Sequence, residues 1–422
     1  MRRSWAAAVA VGLVLLIGAV VVGWIYSLQI LGPDPPVGRT GQRVIAHTDS
    51  TITLANTPKA RRPGYWAIVW PGGLGKIGPL ISVNDREVLT HFTALKGQPP
   101  DTTSHLAGFA VDADPQTWLG IPFEEVRVPS RVGPLPAWRI DNTDSTWAIF
   151  VHGRAATRAE ILRMLPAYLW VGLPCLVLSY RNDPGAPRVG DGSYRLGFTE
   201  WQDLEDAVRY ARSQGARDVV VVGCSMGGSI VTQFLRRSNE RAITRAAVLD
   251  APALDWNAMV RVGARKRGVP VFITEIGKVV AGLRAGFSWN DLVQVRHARE
   301  FRTPMLIFHG ENDETAPIAV SEQFAKALPQ LVTFDPYPKA GHVESANVQP
   351  ERYAKTLANW LLAHGIGESI SSREWTPGSS LRSWPPNSHG HNVRVTPVIA
   401  TEGKLETPSR PPASRSASVS SR

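Results

Sequence analysis

The sequence predicts an α/β protein, a mostly parallel sheet with helices on both faces, entered through one apolar N-terminal helix and a small β-rich segment. Three observations carry this. Short apolar runs at residues 147–151, 175–180, 219–222, 246–249, 305–308 and 332–337 alternate with stretches of helical period. Buried strands joined by helices pack as a parallel sheet covered on both sides. The run at 219–222 passes directly into Gly223-Cys224-Ser225-Met226-Gly227-Gly228, a serine flanked by glycines between a strand and a helix.

The N-terminal element comes first. Arg2 and Arg3 precede a charge-free stretch that lasts until Asp34, and residues 6–26 within it are almost wholly apolar. Twenty-one helical residues span roughly 30 Å, one hydrocarbon core. Trp5, Trp24 and Tyr26 stand where interfacial aromatics belong. A cleaved signal has a shorter apolar core and a small-x-small site, and residues 25–28 lack that pattern. The expectation is an uncleaved anchor over residues 1–30, with a cleaved signal or a buried helix as the alternatives. The two arginines place the N-terminus in the cytoplasm and the rest of the chain outside.

Residues 31–118 hold short alternating runs broken by turn residues, as at 44–46, 52–54, 66–70 and 87–92, which read as β-structure. Gly72-Gly73-Leu74-Gly75-Lys76 invites a phosphate-loop reading. That loop needs a Gly five residues before the Gly-Lys pair and a Ser or Thr after it. Trp70 and Ile77 occupy those places, so the cluster reads as a turn.

From about residue 119 the strands and helices alternate. Thr199 with Gln202 three residues on predicts a capping box. Leu204, Ala207, Val208 and Ala211 then form one apolar helix face. Tyr353, Leu357, Trp360 and Leu361 repeat the pattern near the end, with Gly365 placed to cap that helix.

The chemistry gathers at strand ends. In G-x-S-x-G the serine occupies a sharp strand-to-helix turn, and the glycines remove side chains that would collide there. Ser225 is the candidate nucleophile, and the amide of Met226, at a helix N-terminus, points where an oxyanion would form. A hydroxyl needs a base. Downstream, 305–308 leads into His309-Gly310-Glu311-Asn312-Asp313, and 332–337 is followed by Lys339-Ala340-Gly341-His342. His342 is the candidate base and Asp313 its acid, with Asp250 and Glu311 as rivals. Residues 151–154 follow an earlier strand, so a second oxyanion donor falls on the Arg154 amide, with Gly153 the rival. His152 reads as a packing residue, and Cys224 as a small buried hydrophobe. His389 and His391 lie in a polar tail and suggest no metal site.

Residues 151–153, 223–228, 310–313 and 341–342 together resemble the α/β-hydrolase superfamily. The branch they are most similar to includes BEM46-like proteins and S33-type serine aminopeptidases. The likeness spans residues 119–367. It implies an eight-stranded sheet, no cofactor, and a cap after the sixth strand, here about 251–303, with Trp256, Phe272, Phe287 and Trp289 as pocket walls. Tyr180-Arg181-Asn182 and residues 199–203 also look family-like and read as structural.

Charge narrows the function. The 422 residues carry a formal net charge of +10. Residues 368–422 are Ser- and Pro-rich without periodicity and read as a disordered tail. Seven basic and three acidic residues from 371 onward leave that tail at +4, and Arg2 and Arg3 add +2. The middle is left with a weak excess, no footprint for nucleic acid. Two cysteines exclude a disulfide scaffold. The expected protein is a membrane-anchored serine hydrolase acting on a small-molecule ester or other acyl substrate. A peptidase of the same fold is the alternative, needing a cap carboxylate such as Glu275 or Asp291 for a free amine. A non-catalytic scaffold is the third reading.

Overall fold

A single long helix, α1 (Arg2–Leu31), opens the chain. The computed structural model describes residues 2–32 and 41–368; the expected tail beyond Glu368 and the Arg2 and Arg3 side chains lie outside the described residues. Much of the apolar surface of α1 is exposed, but its last turn is not: Ile30 and Leu31 join the core of the domain that follows. The Leu31 carbonyl accepts from the Tyr194 amide at 2.8 Å.

Six strands come next: β1 (Gln42–His47), β2 (Thr51–Ala55), β3 (Trp66–Trp70), β4 (Gly73–Val83), β5 (Glu87–Lys96) and β6 (Thr103–Ala107). They close into an antiparallel barrel in the order β1-β2-β5-β4-β3-β6, which leaves no free edge. Period-2 alternation drives it: Ile52 and Leu54 point inward between half-exposed neighbours. The glycine cluster is a hairpin. Trp70 pairs with Gly73, so Pro71-Gly72 forms the turn, with Gly72 at φ +79° as a type II turn requires.

A short helix, α2 (Pro115–Leu119), leads to the large sheet. Its strands are β7 (Glu124–Val128), β8 (Leu135–Ile140), β9 (Thr146–Val151), β10 (Cys175–Leu178), β11 (Asp218–Cys224), β12 (Thr244–Asp250), β13 (Met305–Gly310) and β14 (Val332–Tyr337). Their order is β14-β13-β12-β11-β9-β10-β8-β7, parallel except where β8 meets β7 and β10. This is the α/β-hydrolase fold that the sequence predicts. The β7–β8 pair escaped the sequence reading. Glu124, Glu125 and Arg127 alternate with Val126 and Val128 on an edge strand, and Pro136 discourages a strand where β8 runs.

The helices are α3 (Leu165–Trp170), α4 (Trp201–Ser213), α5 (Met226–Arg237), α6 (Trp256–Lys266), α7 (Val271–Ala285), α8 (Ile318–Ala327), α9 (Ser345–Val348) and α10 (Pro350–Ala363). The capping box at α4 does not form. Glu200 occupies the N-cap position, and its buried carboxylate accepts instead from the amides of Arg195 at 2.6 Å and Gly197 at 3.0 Å. Asp203 is drawn to Arg181, whose Nη2 lies 2.6 Å from its Oδ1 in a buried bidentate pair.

One seam joins barrel and sheet. Asn347 on α9 donates to the carbonyls of Tyr65 at 2.8 Å and Gly108 at 2.9 Å, and accepts from Arg163 at 2.8 Å. Arg62 reaches Glu344 at 2.7 Å, and Glu344 accepts from the Gly341 amide at 3.0 Å. Asn347→Ala strands three half-buried partners, so it should cost about 1–3 kcal/mol of stability. A denaturant titration reads this directly, and an unmoved midpoint would show that the seam holds nothing.

Candidate active site

The chain turns from β11 into α5 at Ser225, which sits at φ 50° and ψ −114°. A side chain at Gly223 would meet the Gly227 carbonyl at 2.4 Å, and one at Gly227 would meet the Val151 carbonyl at 2.1 Å. Only glycine lets strand and helix approach this closely, and that approach forces the serine into its sparsely populated conformation. The turn is tied down from both sides. Ser225 donates its amide to the Asp250 carbonyl at 3.1 Å, and its own carbonyl accepts from Gly228 and Ala253, each at 2.9 Å.

The structure brings three predicted residues together. His342 Nε2 lies 2.9 Å from Ser225 Oγ, and His342 Nδ1 lies 2.7 Å from Asp313 Oδ2. Asp313 is enclosed, and its other oxygen accepts from the amides of Thr315 at 2.7 Å and Ala316 at 2.8 Å. Burial alone would raise its pKa, but hydrogen bonds from His309 and His342 outweigh this and hold the carboxyl below the usual range. His309 was not singled out from sequence. Its Nε2 stands 3.2 Å from Asp313 Oδ2, and its Nδ1 lies 2.9 Å from Ser321 Oγ. Its place at the end of β13, four residues before Asp313, was the available signal.

Of the rival acids, Glu311 is exposed, and Asp250 meets Ser345 Oγ at 3.2 Å rather than His342. Asp250 is fully enclosed, and burial pushes its pKa up to about 6. A carboxyl whose folded pKa is raised favours the fold below its unfolded pKa, near 3.8, and loses that contribution as pH climbs through about 6. Asp250→Asn should therefore stabilise the protein by roughly 1–3 kcal/mol at pH 8, with the gain fading toward pH 4. Thermal melts of both proteins at the two pH values test this; a gain that grows on acidification has the wrong sign.

The loop after β9 lies against the serine, with a Cβ at Gly153 falling 3.1 Å from Ser225 Cβ. Gly153 is held from three directions. Its amide donates to Glu160 Oε2 at 2.7 Å, and its carbonyl accepts from Tyr180 at 3.0 Å and faces His152 Nδ1 at 2.8 Å. The rival oxyanion donor is thus committed to Glu160, a buried carboxylate that sequence reading passed over. Arg154 follows it, and its guanidinium donates to the carbonyls of Gln29 at 2.9 Å and Gly32 at 2.6 Å, at the end of α1. His152 is fully buried, stacked on Tyr180, with Nε2 2.9 Å from Asp183. Burial opposes its protonation, and Asp183 more than offsets that, so its pKa is raised. Met226 opens α5, where a first-turn amide has no acceptor within the helix. Cys224 is buried, and burial pushes its thiol well up.

In the cap, Trp256 is buried and donates to Ser229 Oγ at 3.1 Å, while Phe287 and Trp289 meet edge to face at 5.3 Å. Phe272 faces outward on α7 and walls no pocket near the serine, a correction that follows from which side of α7 meets the protein. Glu275 accepts from Arg261 at 3.0 Å and Lys278 at 2.7 Å, and Asp291 lies 3.6 Å from Arg237.

Residues 190–365 match the prolyl oligopeptidase family (Peptidase_S9), and residues 43–97, within the barrel, match a domain of unknown function (DUF8805). Fold and match together define the class: the chain is a serine hydrolase. No curated protein matches it. Among solved structures it is similar to an esterase of Pyrococcus furiosus, at 17% identity over 60% of this chain and 95% of that one, with a TM-score of 0.48. It is also similar to an esterase of Thermogutta terrifontis, at 19% identity over 61% and 96%, with a TM-score of 0.45. An esterase of Exiguobacterium antarcticum aligns at 15% identity over 57% and 100%, with a TM-score of 0.42.

Proposed function

We propose that the protein is a membrane-anchored serine hydrolase that cleaves an ester or other acyl substrate through an acyl-enzyme. The observation that carries this is the 2.9 Å contact between His342 Nε2 and Ser225 Oγ, backed by Asp313 on the far nitrogen. The imidazole takes the Ser225 proton as Oγ attacks the acyl carbonyl. The amides of Met226 and Arg154 receive the oxyanion, since that of Gly153 is occupied. The ionised Asp313 stabilises the imidazolium, which gives its proton to the leaving group. Water, deprotonated by the same ring, then releases the acid. By its motifs we further place the chain in the BEM46-like and S33-type branch.

Anchoring rests on α1. Its Ala10–Leu31 segment, 22 residues, is long and apolar enough to cross a membrane. A signal sequence passes the same test, but cleavage after α1 would strip Ile30 and Leu31 from the hydrolase core and remove the Gln29 and Gly32 carbonyls that Arg154 bonds. Retention of the helix fits that packing better. With Arg2 and Arg3 inside, the catalytic domain is extracytoplasmic.

The peptidase reading draws on the family match over 190–365. Against it, the cap carboxylates Glu275 and Asp291 already have cationic partners. Turnover of acyl esters of graded chain length, beside prolyl and other aminoacyl anilides, separates the two. Faster hydrolysis of the esters is expected; turnover of anilides alone would replace the esterase reading with the peptidase one.

A further inference from the structure

The cap helix α7 has one face against α1 and another that is exposed among the described residues. Toward α1 the contact is close. A Cβ at Gly23 would fall 2.6 Å from Val280 Cγ2, and one at Gly277 would fall 2.7 Å from Tyr26 Cβ. Two small residues thus let the helices approach as membrane helices do. Arg284 donates to Ser27 Oγ at 2.6 Å and stacks over Trp24 at 4.2 Å. On the open side Val271, Phe272, Val279 and Leu283 stand 73%, 66%, 61% and 80% exposed. Single exposed apolar side chains are ordinary, but a row of four on one helix is not. The charges of α7 are closed off: Glu275 by Arg261 and Lys278, and Arg284 by Asp191 at 2.9 Å.

What covers this face follows from its neighbour. α7 packs along Gly23, Tyr26 and Ile30 of α1, all within the segment long enough to span a bilayer. Like α7, α1 exposes large apolar side chains along this stretch, at Val20, Val21, Trp24, Ile25 and Leu28. We propose that α7 is itself a membrane element, lying in the leaflet that the C-terminal end of α1 reaches, with its open face against lipid acyl chains. An open groove bounded by Val279, Leu283, Phe287 and Trp289 adjoins that face, with a volume of about 500 Å³. The cap therefore sits in the lipid, and amphiphiles with an acyl chain are the substrate class it would meet. This rests on the anchored reading of α1.

The test uses the full-length protein in phosphatidylcholine vesicles containing lipids spin-labelled on their acyl chains. Cys175 and Cys224 are buried, so single cysteines at Leu283→Cys, Val14→Cys and Ile81→Cys can each carry a fluorophore. All three positions are exposed, so folding should survive, which fluorophosphonate labelling checks. The expected result is loss of emission at positions 283 and 14 but not at 81, on the barrel. Quenching at 14 without quenching at 283 overturns the proposal while leaving the anchor intact. Absence of quenching at both sites overturns the anchor and the proposal together. A disulfide-linked dimer formed through position 283 would show a second copy on this face, and also overturns it.

Discussion

Ser225→Ala is expected to abolish covalent labelling by a fluorophosphonate and to lower kcat by about a millionfold. The size of the effect follows from the role assigned to Oγ. Without it no acyl-enzyme forms, and His342 has no hydroxyl proton to take. What remains is slow attack by water on a substrate held near the amides proposed as oxyanion donors. The substitution should leave the fold intact. The elbow is held by backbone hydrogen bonds from Ser225 to Asp250 and from Gly228 and Ala253 to Ser225, and its tight crossing by Gly223 and Gly227, none of which involve the hydroxyl. A matched melting temperature with no labelling is the expected pair of results. A variant that still labels would move the nucleophile elsewhere.

Asp313→Asn is expected to cut kcat by about 10⁴-fold. The asparagine is nearly isosteric and can keep the amides of Thr315 and Ala316 on its oxygen. Its NH2 would then face His342 Nδ1, favouring the tautomer whose Nε2 carries a proton and cannot accept one from Ser225. The imidazolium would also lose its counter-charge. Asp250→Asn is the matched control, since Asp250 bonds Ser345 and not the imidazole. It should leave kcat within a fewfold of the native value. If the two variants exchanged phenotypes, the acid would be Asp250 and the geometry at Asp313 incidental. Steady-state rates on a single ester, with both variants checked for folding, decide between them.

The fold and the three central residues were legible because each is announced locally. Ser225 lies between glycines at a strand end, and Asp313 and His342 follow apolar runs within a few residues. Partners that depend on tertiary placement were not. Glu160 is a lone acid in an irregular stretch, yet it takes up the Gly153 amide. His309 stood in a recognised loop, but its approach to Asp313 depends on how the chain turns after β13. The barrel was visible only as β-structure, because closure depends on β1 finding β6 some sixty residues on. The capping box at Thr199 failed for the opposite reason. The local signal was present, but Thr199 Oγ1 turns to the Glu200 carboxylate and Gln202 Oε1 accepts from Arg181.

The seam at Asn347 also bears on the order in which the protein can be assembled. Its hydrogen bonds to Tyr65 join positions 282 residues apart. The barrel leaves the ribosome early, and its strands pair only with one another. Its docking surface for α9 must then wait for nearly the whole remaining chain, roughly tens of seconds of synthesis. Glu344 and Asn347, which grip the barrel, follow His342 directly, so the histidine loop reaches its final support only when first-made and last-made parts meet. A nascent or C-terminally truncated chain would carry the serine elbow without its base. Hydrolytic competence would then arise only at the end of folding.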